Sequence, residues 1–273
     1  MAPSVEPTAI LSHVHRTDGS ATFSQNGYTV IGAVNGPLEI QRRDELPEEA
    51  AIDLIVRPAA GVGGLEPSSE HICLIAVILT LRVLGTRERH LESILQSTLR
   101  QIVLIHNFPR TLIQITLQIT SIPEIDTAGS KLTQAGSNLP ILPTLLQTAV
   151  LALLSASIPL SMSLTSTFLA LASDGSHRRV IVNPTLLESQ AASSVHVMAF
   201  TSHGDLVVAE SEGDFTLKDW EALHDAAKEI CCDDSSTSGD MGDEGMGEKN
   251  ESLLMFVKST LEDKIERDLH WKD

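Results

Sequence analysis

Aromatic side chains are nearly absent: six phenylalanines, two tryptophans and one tyrosine among 273 residues. The core must therefore be filled by Leu, Ile, Val and Ala. At 42% hydrophobic residues the chain has enough of these for one sizeable domain, or a domain with an appendage. Cysteine is as scarce. Cys73, Cys231 and Cys232 make no disulfide framework, two of them being adjacent, which argues for a reducing compartment. Positive charge is short too, with 19 Lys and Arg against 36 Asp and Glu, a formal net charge of −17. The deficit is local: residues 205–273 carry 20 acidic and 7 basic side chains, whereas residues 1–204 carry 16 and 12. Affinity for phosphates scales with clustered Lys and Arg, so such a chain is not expected to grip nucleic acid alone. Met1 to Ile10 has neither the basic nor the apolar region of a secretory signal and is expected to be a flexible N-terminus.

Formal charge is missing altogether from the 42 residues between Lys131 and Asp174. Gln134, Asn138, Gln147, Pro140, Pro143 and Pro159 interrupt that stretch, and it divides into a helix-like and a strand-like part. A buried helix followed by a strand is favoured over a membrane span.

What is present reads as alternating strands and helices. Leu11–Arg16, Ala21–Gln25 and Tyr28–Val34 are expected strands, with turns at Asp18-Gly19 and Asn26-Gly27. Glu39–Ala50 reads as a loop and Ile52–Val56 as a strand. A helix is expected from about Thr86 to Ile105, with Leu91, Ile94, Leu95, Thr98, Ile102 and Ile105 on one face. Thr111–Thr120 alternates as a strand, with Ile113, Ile115, Leu117 and Ile119 on one side. A second helix follows at about Pro143–Ser157, then strands at Ser163–Ala172, Val180–Val182, Val195–Thr201 and Leu206–Ala209. Phe215–Cys231 reads as a third helix capped by Asp214 or Thr216. Asp233–Asn250 is an acidic Gly/Ser-rich linker, and Glu251–Trp271 has the periodicity of a terminal helix (Leu254, Val257, Leu261, Ile265, Leu269). The expected fold class is α+β (mixed α/β): one domain over 11–232, the linker 233–250, and a C-terminal helix within 251–273.

The run Arg16-Thr17-Asp18-Gly19-Ser20, followed by Gly27-Tyr28-Thr29-Val30 and Asn35-Gly36-Pro37, resembles the opening of RNase PH-like domains. Arg89-His90-Leu91-Glu92 is similar to that family's R-x-x-E helix start, Pro109-Arg110-Thr111 to its P-R-T strand start, Ala135-Gly136-Ser137 to its small-residue loop, and Ile158-Pro159 to its G-I-P element. The matches come in order over residues 11 to about 230. The resemblance implies a single RNase PH-like domain of the ribosomal protein S5 domain 2-like kind, its sheets packed with two central helices plus C-terminal helices. Asp-Gly-Ser in place of Asp-Gly-Arg, together with the missing acids below, points to a fungal-type ring subunit of the eukaryotic RNA exosome. Its family context would be a six-membered ring of such domains under S1/KH-type cap subunits. RNA would thread through to a separate associated nuclease, for rRNA processing and RNA degradation in the nucleus, nucleolus and cytoplasm.

Phosphorolysis in that family uses a phosphate cradle, made of a G-T/S-R loop and an arginine, plus a carboxylate pair six residues apart. Orthophosphate requires N–H donors and cations, and the leaving ribose oxygen requires a proton or charge stabilisation. By resemblance Arg89 is the phosphate-contacting arginine. The loop arginine is replaced by Asn138, with Lys131 after Ala128-Gly129-Ser130 as a substitute point charge. Aligned on Glu188, the two aspartate positions are Ser189 and Val195. No catalytic residue, metal site or cofactor is therefore expected. The alternative is an active phosphate-dependent 3′→5′ exoribonuclease. Arg87, Arg89 and Lys131 are candidates for contact with RNA phosphates, ordinary solvated or ion-paired side chains being the other reading. His13 and His15 would share one strand face, yet no third ligand is visible, and a structural or exposed role is favoured.

Residues 65–85 contain the apolar run Ile72–Leu79 where the family has a short loop. Removing them joins Gly61-Val62-Gly63-Gly64 to Thr86-Arg87-Glu88-Arg89, which reads as an uninterrupted family loop. The segment reads as translated intron sequence or a lineage insertion. At roughly fourteen apolar residues it is too short to span a bilayer.

Overall fold

A computed structural model describes residues 7–41, 45–59, 86–123, 138–174, 177–232 and 252–270, with only the backbone given for residues 86, 87, 173, 174 and 177. The 65–85 segment, Lys131, the loop 135–137 and the 233–250 linker lie outside the described residues, as does the side chain of Arg87.

The first sheet is built around one hairpin. Strands β2 (Gly19–Gln25) and β3 (Tyr28–Glu39) meet at Asn26-Gly27, whose φ values of +53° and +79° are what a two-residue I′ turn demands. β1 (Thr8–Leu11) pairs with β2, β5 (Thr111–Ser121) pairs antiparallel with β3, and β4 (Ala51–Arg57) adds in parallel to β5. The order is β1-β2-β3-β5-β4. The expected alternation in β5 is present: Ile113, Ile115, Leu117 and Ile119 are buried on the inner face.

Helix α1 (Thr86–Ile102) buries Leu91, Leu95, Leu99 and Ile102. It also closes the free edge of β4. Glu92 Oε1 accepts the Val56 N–H at 2.8 Å, and Gln96 Nε2 donates to the Ile52 carbonyl at 2.8 Å. Unpaired edge groups would otherwise invite another strand.

The second sheet has the order β7-β6-β8-β9, from β6 (Leu164–Asp174), β7 (His177–Val182), β8 (Ser194–Thr201) and β9 (Leu206–Gly213). Between the sheets lies α2 (Leu142–Ser155), buried at every residue but Leu154. A helix covered on both sides has no polar face to offer, which is why its sequence carries no charge. The described part of the uncharged stretch is thus α2 followed by β6. No described helix is long and apolar enough to cross a membrane. Gly19 touches α2 so closely that an added Cβ would sit 2.3 Å from Ala156 N. On the far side of the second sheet, α4 (Leu217–Cys232) packs Leu223, Ala227 and Cys231 on Leu169, Met198 and Phe200. A short helix, α3 (Leu186–Ala191), links β7 to β8, and α5 (Leu253–Leu269) ends the described chain. These elements make a mixed α/β fold with layers in the sequence sheet, helix, sheet, helix.

Several expected boundaries move. The first strand is Thr8–Leu11 rather than Leu11–Arg16, because Ser12 (φ +57°) and Arg16 (φ +67°) leave the extended region. Residues 8–10 are consequently sheet, not flexible terminus. His13 and His15 lie in the loop that follows, so they share no strand face. The first helix stops at Ile102, where Val103 bridges to Leu160, and Ile105–Asn107 forms a separate 3₁₀ turn. The second helix ends two residues early, before Ser157 at φ +58°. β7 and β9 are longer than expected, and α3 was not anticipated at all.

Candidate functional site

The motif residues converge on corners of the fold. Asp18 Oδ2 accepts the Gly36 N–H at 2.8 Å, and the Asp18 N–H reaches the Val34 carbonyl at 3.1 Å. Ser20 Oγ accepts from Val14 N at 3.0 Å, while the Ser20 carbonyl accepts from Ser12 N at 2.8 Å. Ser12 Oγ reaches Ser155 Oγ on α2 at 2.9 Å. The Arg-x-Asp-Gly-Ser run therefore folds the 12–18 loop back onto the sheet and locks it to the central helix. Arg110, at φ +61°, pairs with Glu45 at 3.2 Å, and the Thr111 hydroxyl donates to the Phe108 carbonyl at 2.8 Å. Pro159 accepts from Leu104 N at 3.2 Å, and Ser161 N donates to Ile102 at 2.8 Å, fastening the end of α1 to the α2–β6 connection. Glu92 of the Arg-x-x-Glu start is spent on the edge of β4. Each of these bonds is intramolecular and architectural.

The positions where the family chemistry would stand look different. Ser189 is half-buried in α3, and its hydroxyl donates to the Leu186 carbonyl at 2.8 Å. Val195 lies on β8 between Ala170 of β6 and Glu212 of β9, its side chain packed against the main core. Glu212 is exposed. Glu188, the acid on which the two positions align, completes a capping box: its Oε2 accepts the Thr185 N–H at 2.8 Å and the Thr185 hydroxyl at 2.9 Å. These hydrogen bonds, the backbone one first, hold its carboxyl below the usual range. The Thr185-Leu-Leu-Glu188 spacing was the available signal for α3. Val195 offers no base and Ser189 none that titrates near neutrality, and Glu188 cannot take a proton without weakening its cap.

Arg89 is exposed at the end of the first turn of α1, and Asn138 opens the short 3₁₀ turn Leu139–Ile141 before α2 without a side-chain cap bond. Ser189 and Val195 are brought to one end of the second sheet. No described contact joins Arg89 to either. His13 Nε2 meets the Thr22 hydroxyl at 2.9 Å. Among the described residues no three His, Cys, Asp or Glu side chains are placed to hold a metal. One buried polar group escaped sequence reasoning: His196 on β8, fully buried, with Nδ1 2.8 Å from Ser211 Oγ, Nε2 2.8 Å from Ser194 Oγ, and the Phe215 ring edge-on at 4.8 Å.

The model of the 3′ exoribonuclease family, domain 1 (the RNase PH domain), matches residues 7–159. The chain is 32% identical over 228 residues to the exosome complex component RRP46 of Saccharomyces cerevisiae, covering 81% of this chain and 87% of that one. It is 30% identical over 145 residues to the exosome complex component rrp46 of Schizosaccharomyces pombe, covering 53% and 49%. The crystal structure of rice Rrp46 superposes with a TM-score of 0.61 at 22% identity, over 82% of this chain and 87% of that one, a likeness of fold. The chain belongs to the RNase PH family, and its likeness to fungal Rrp46 agrees with the reading of the Asp-Gly-Ser opening.

Proposed function

We propose that this RNase PH family member is a non-catalytic subunit of the RNA exosome core ring. It supports 3′→5′ RNA processing and decay by assembly and by RNA passage. One observation carries the reading: the family's motif residues are retained where they build corners, and are lost where a carboxylate pair would act, at Ser189 and Val195. The relatives named above are exosome components, which makes the ring the natural setting.

Assembly draws support from the far face of the first sheet. Thr22, Ile31, Ala33, Asn35, Gln114 and Thr116 are half-exposed there, and among the described strand residues of this face only Asp53 and Arg57, on β4, bring charge. No described helix covers this face, and an uncharged sheet face of that kind suits burial against a neighbour. The partners are other RNase PH-like ring subunits, S1/KH cap subunits and an associated nuclease, in the nucleus, nucleolus and cytoplasm. The chain needs no cofactor. Arg89, with Arg87 and Lys131, contributes RNA phosphate contacts inside the assembled channel, where basic neighbours offset the net negative charge.

Affinity purification of the tagged chain from native fungal extract tests this. Stoichiometric recovery of other RNase PH-like subunits, in a closed assembly of roughly nine to ten chains, is expected. A monomer without those partners would contradict it.

A further inference from the structure

Helix α5 is docked at one end only. Ser252 caps it by accepting from Met255 N, and its first turns bury Leu253, Leu254 and Val257 against β1, α2, α4 and β6. Phe256 adds a tilted ring contact with Phe23, centroids 6.2 Å apart. The same apolar row continues past the docked part. Leu261 is half-buried, Ile265 is 54% exposed and Leu269 42% exposed. Residues four apart lie on one face of a helix, so these three make a narrow stripe about 12 Å long.

A stripe one residue wide at helical spacing suits a second helix laid alongside, whose side chains fit between successive turns. The surrounding charge selects its kind. Glu262, Glu266 and Asp268 are exposed beside the stripe, and Asp263 lies on the opposite side of the helix. Lys264 is already paired with Asp268 at 2.6 Å, and Arg267 Nε is turned onto the Asp263 carbonyl at 3.0 Å. α4, packed against α5, exposes Glu221, Asp225 and Glu229 four residues apart, with Lys228 beside them. A second copy of this chain would bring another −17 to a surface that is already acidic. We propose that the C-terminal half of α5 is a docking site for a basic amphipathic helix of a partner protein, seated on Leu261, Ile265 and Leu269.

The test uses the full chain and two designed helical peptides. They share one Leu stripe, flanked by Lys in one and by Glu in the other. Fluorescence anisotropy should show binding of the Lys peptide, weakening as salt rises, and little binding of the Glu peptide. Ile265→Asp with Leu269→Asp should weaken the Lys peptide by about tenfold or more while leaving the melting temperature unchanged, because both side chains are exposed. A photo-crosslinker at Ile265 in native extract should map to a basic segment with apolar residues every three to four positions. Equal binding of the Lys peptide by the double variant, equal binding of the two peptides, or crosslinks confined to a second copy or to this chain's own residues would each overturn the proposal.

Discussion

The two sheets share α2 as a common floor but differ in what lies on their far sides. The second sheet is covered by α4, and its outward residues Leu169, Met198 and Phe200 are as buried as those facing α2. The first sheet presents Thr, Ser, Asn, Gln and a few aliphatic side chains, half-exposed or exposed, with Asp53 and Arg57 as the charged ones among the described strand residues of that face. Among the described residues, one sheet is thus covered on both faces and the other on one. A sheet face that is neither greasy enough to require a helix nor charged enough to repel a neighbour is what a ring subunit needs at an interface.

The largest effect should come from the shared floor. Leu146→Ala empties a fully buried position on α2 and should cost about 2–5 kcal/mol, read by urea unfolding as one cooperative transition. Two separate transitions would show that the sheets do not depend on α2 together. A smaller loss belongs to the second sheet alone: Thr185→Ala removes the α3 cap and should cost about 1 kcal/mol. Glu188→Gln in the same chain should cost a little more, because the backbone N–H of residue 185 is still there for the Glu188 carboxylate to accept from.

The second sheet should also show a pH dependence on the acid side of neutrality. Burial pushes the His196 pKa below its ordinary value of 6.5. The groups facing it are the hydroxyls of Ser194 and Ser211 and the Phe215 ring, none of them charged. The unfolded chain therefore takes up a proton before the folded one does. This contribution is fully present above about pH 6.5 and is lost as pH falls through that value towards the lower folded pKa. His196→Asn should flatten that part of the stability profile. An unchanged slope would place the titration on another histidine.

The smallest effect on stability should come from the open face. Thr116→Arg on β5 should leave the isolated chain within about 0.5 kcal/mol of its parent. Recovery of ring partners in a pull-down should nevertheless fall sharply. Normal recovery would show that this face is not an interface.

Much of this division was legible in the sequence. Period-two alternation in Thr111–Thr120 gave both the strand and its buried side, and Asn26-Gly27 gave the hairpin. The uncharged run gave a helix that needs cover all round, and the ordered motifs gave the family. What escaped reading depended on long-range geometry. His13 and His15 looked like a strand pair because nothing local announces positive φ at Ser12 and Arg16. Glu92 read as part of a helix-start motif, yet its task is set by β4, thirty-odd residues earlier in the chain. The heptad-like row of α5 was visible, but periodicity reports which side chains share a face and not what covers them. For the candidate site, the family resemblance implied that two acids are replaced at Ser189 and Val195. Only the structure showed that Glu188, the remaining carboxylate in that run, is committed to a cap.

The most direct measurement is phosphate-dependent release of nucleoside diphosphates from labelled single-stranded RNA. It should be made on the isolated chain and on a ring reconstituted without its associated nucleases, with and without Mg²⁺. A subunit whose family motifs serve architecture alone releases none, and Arg89→Ala changes only the RNA affinity of the ring, modestly. Release that requires phosphate and disappears with Arg89→Ala would contradict the non-catalytic reading.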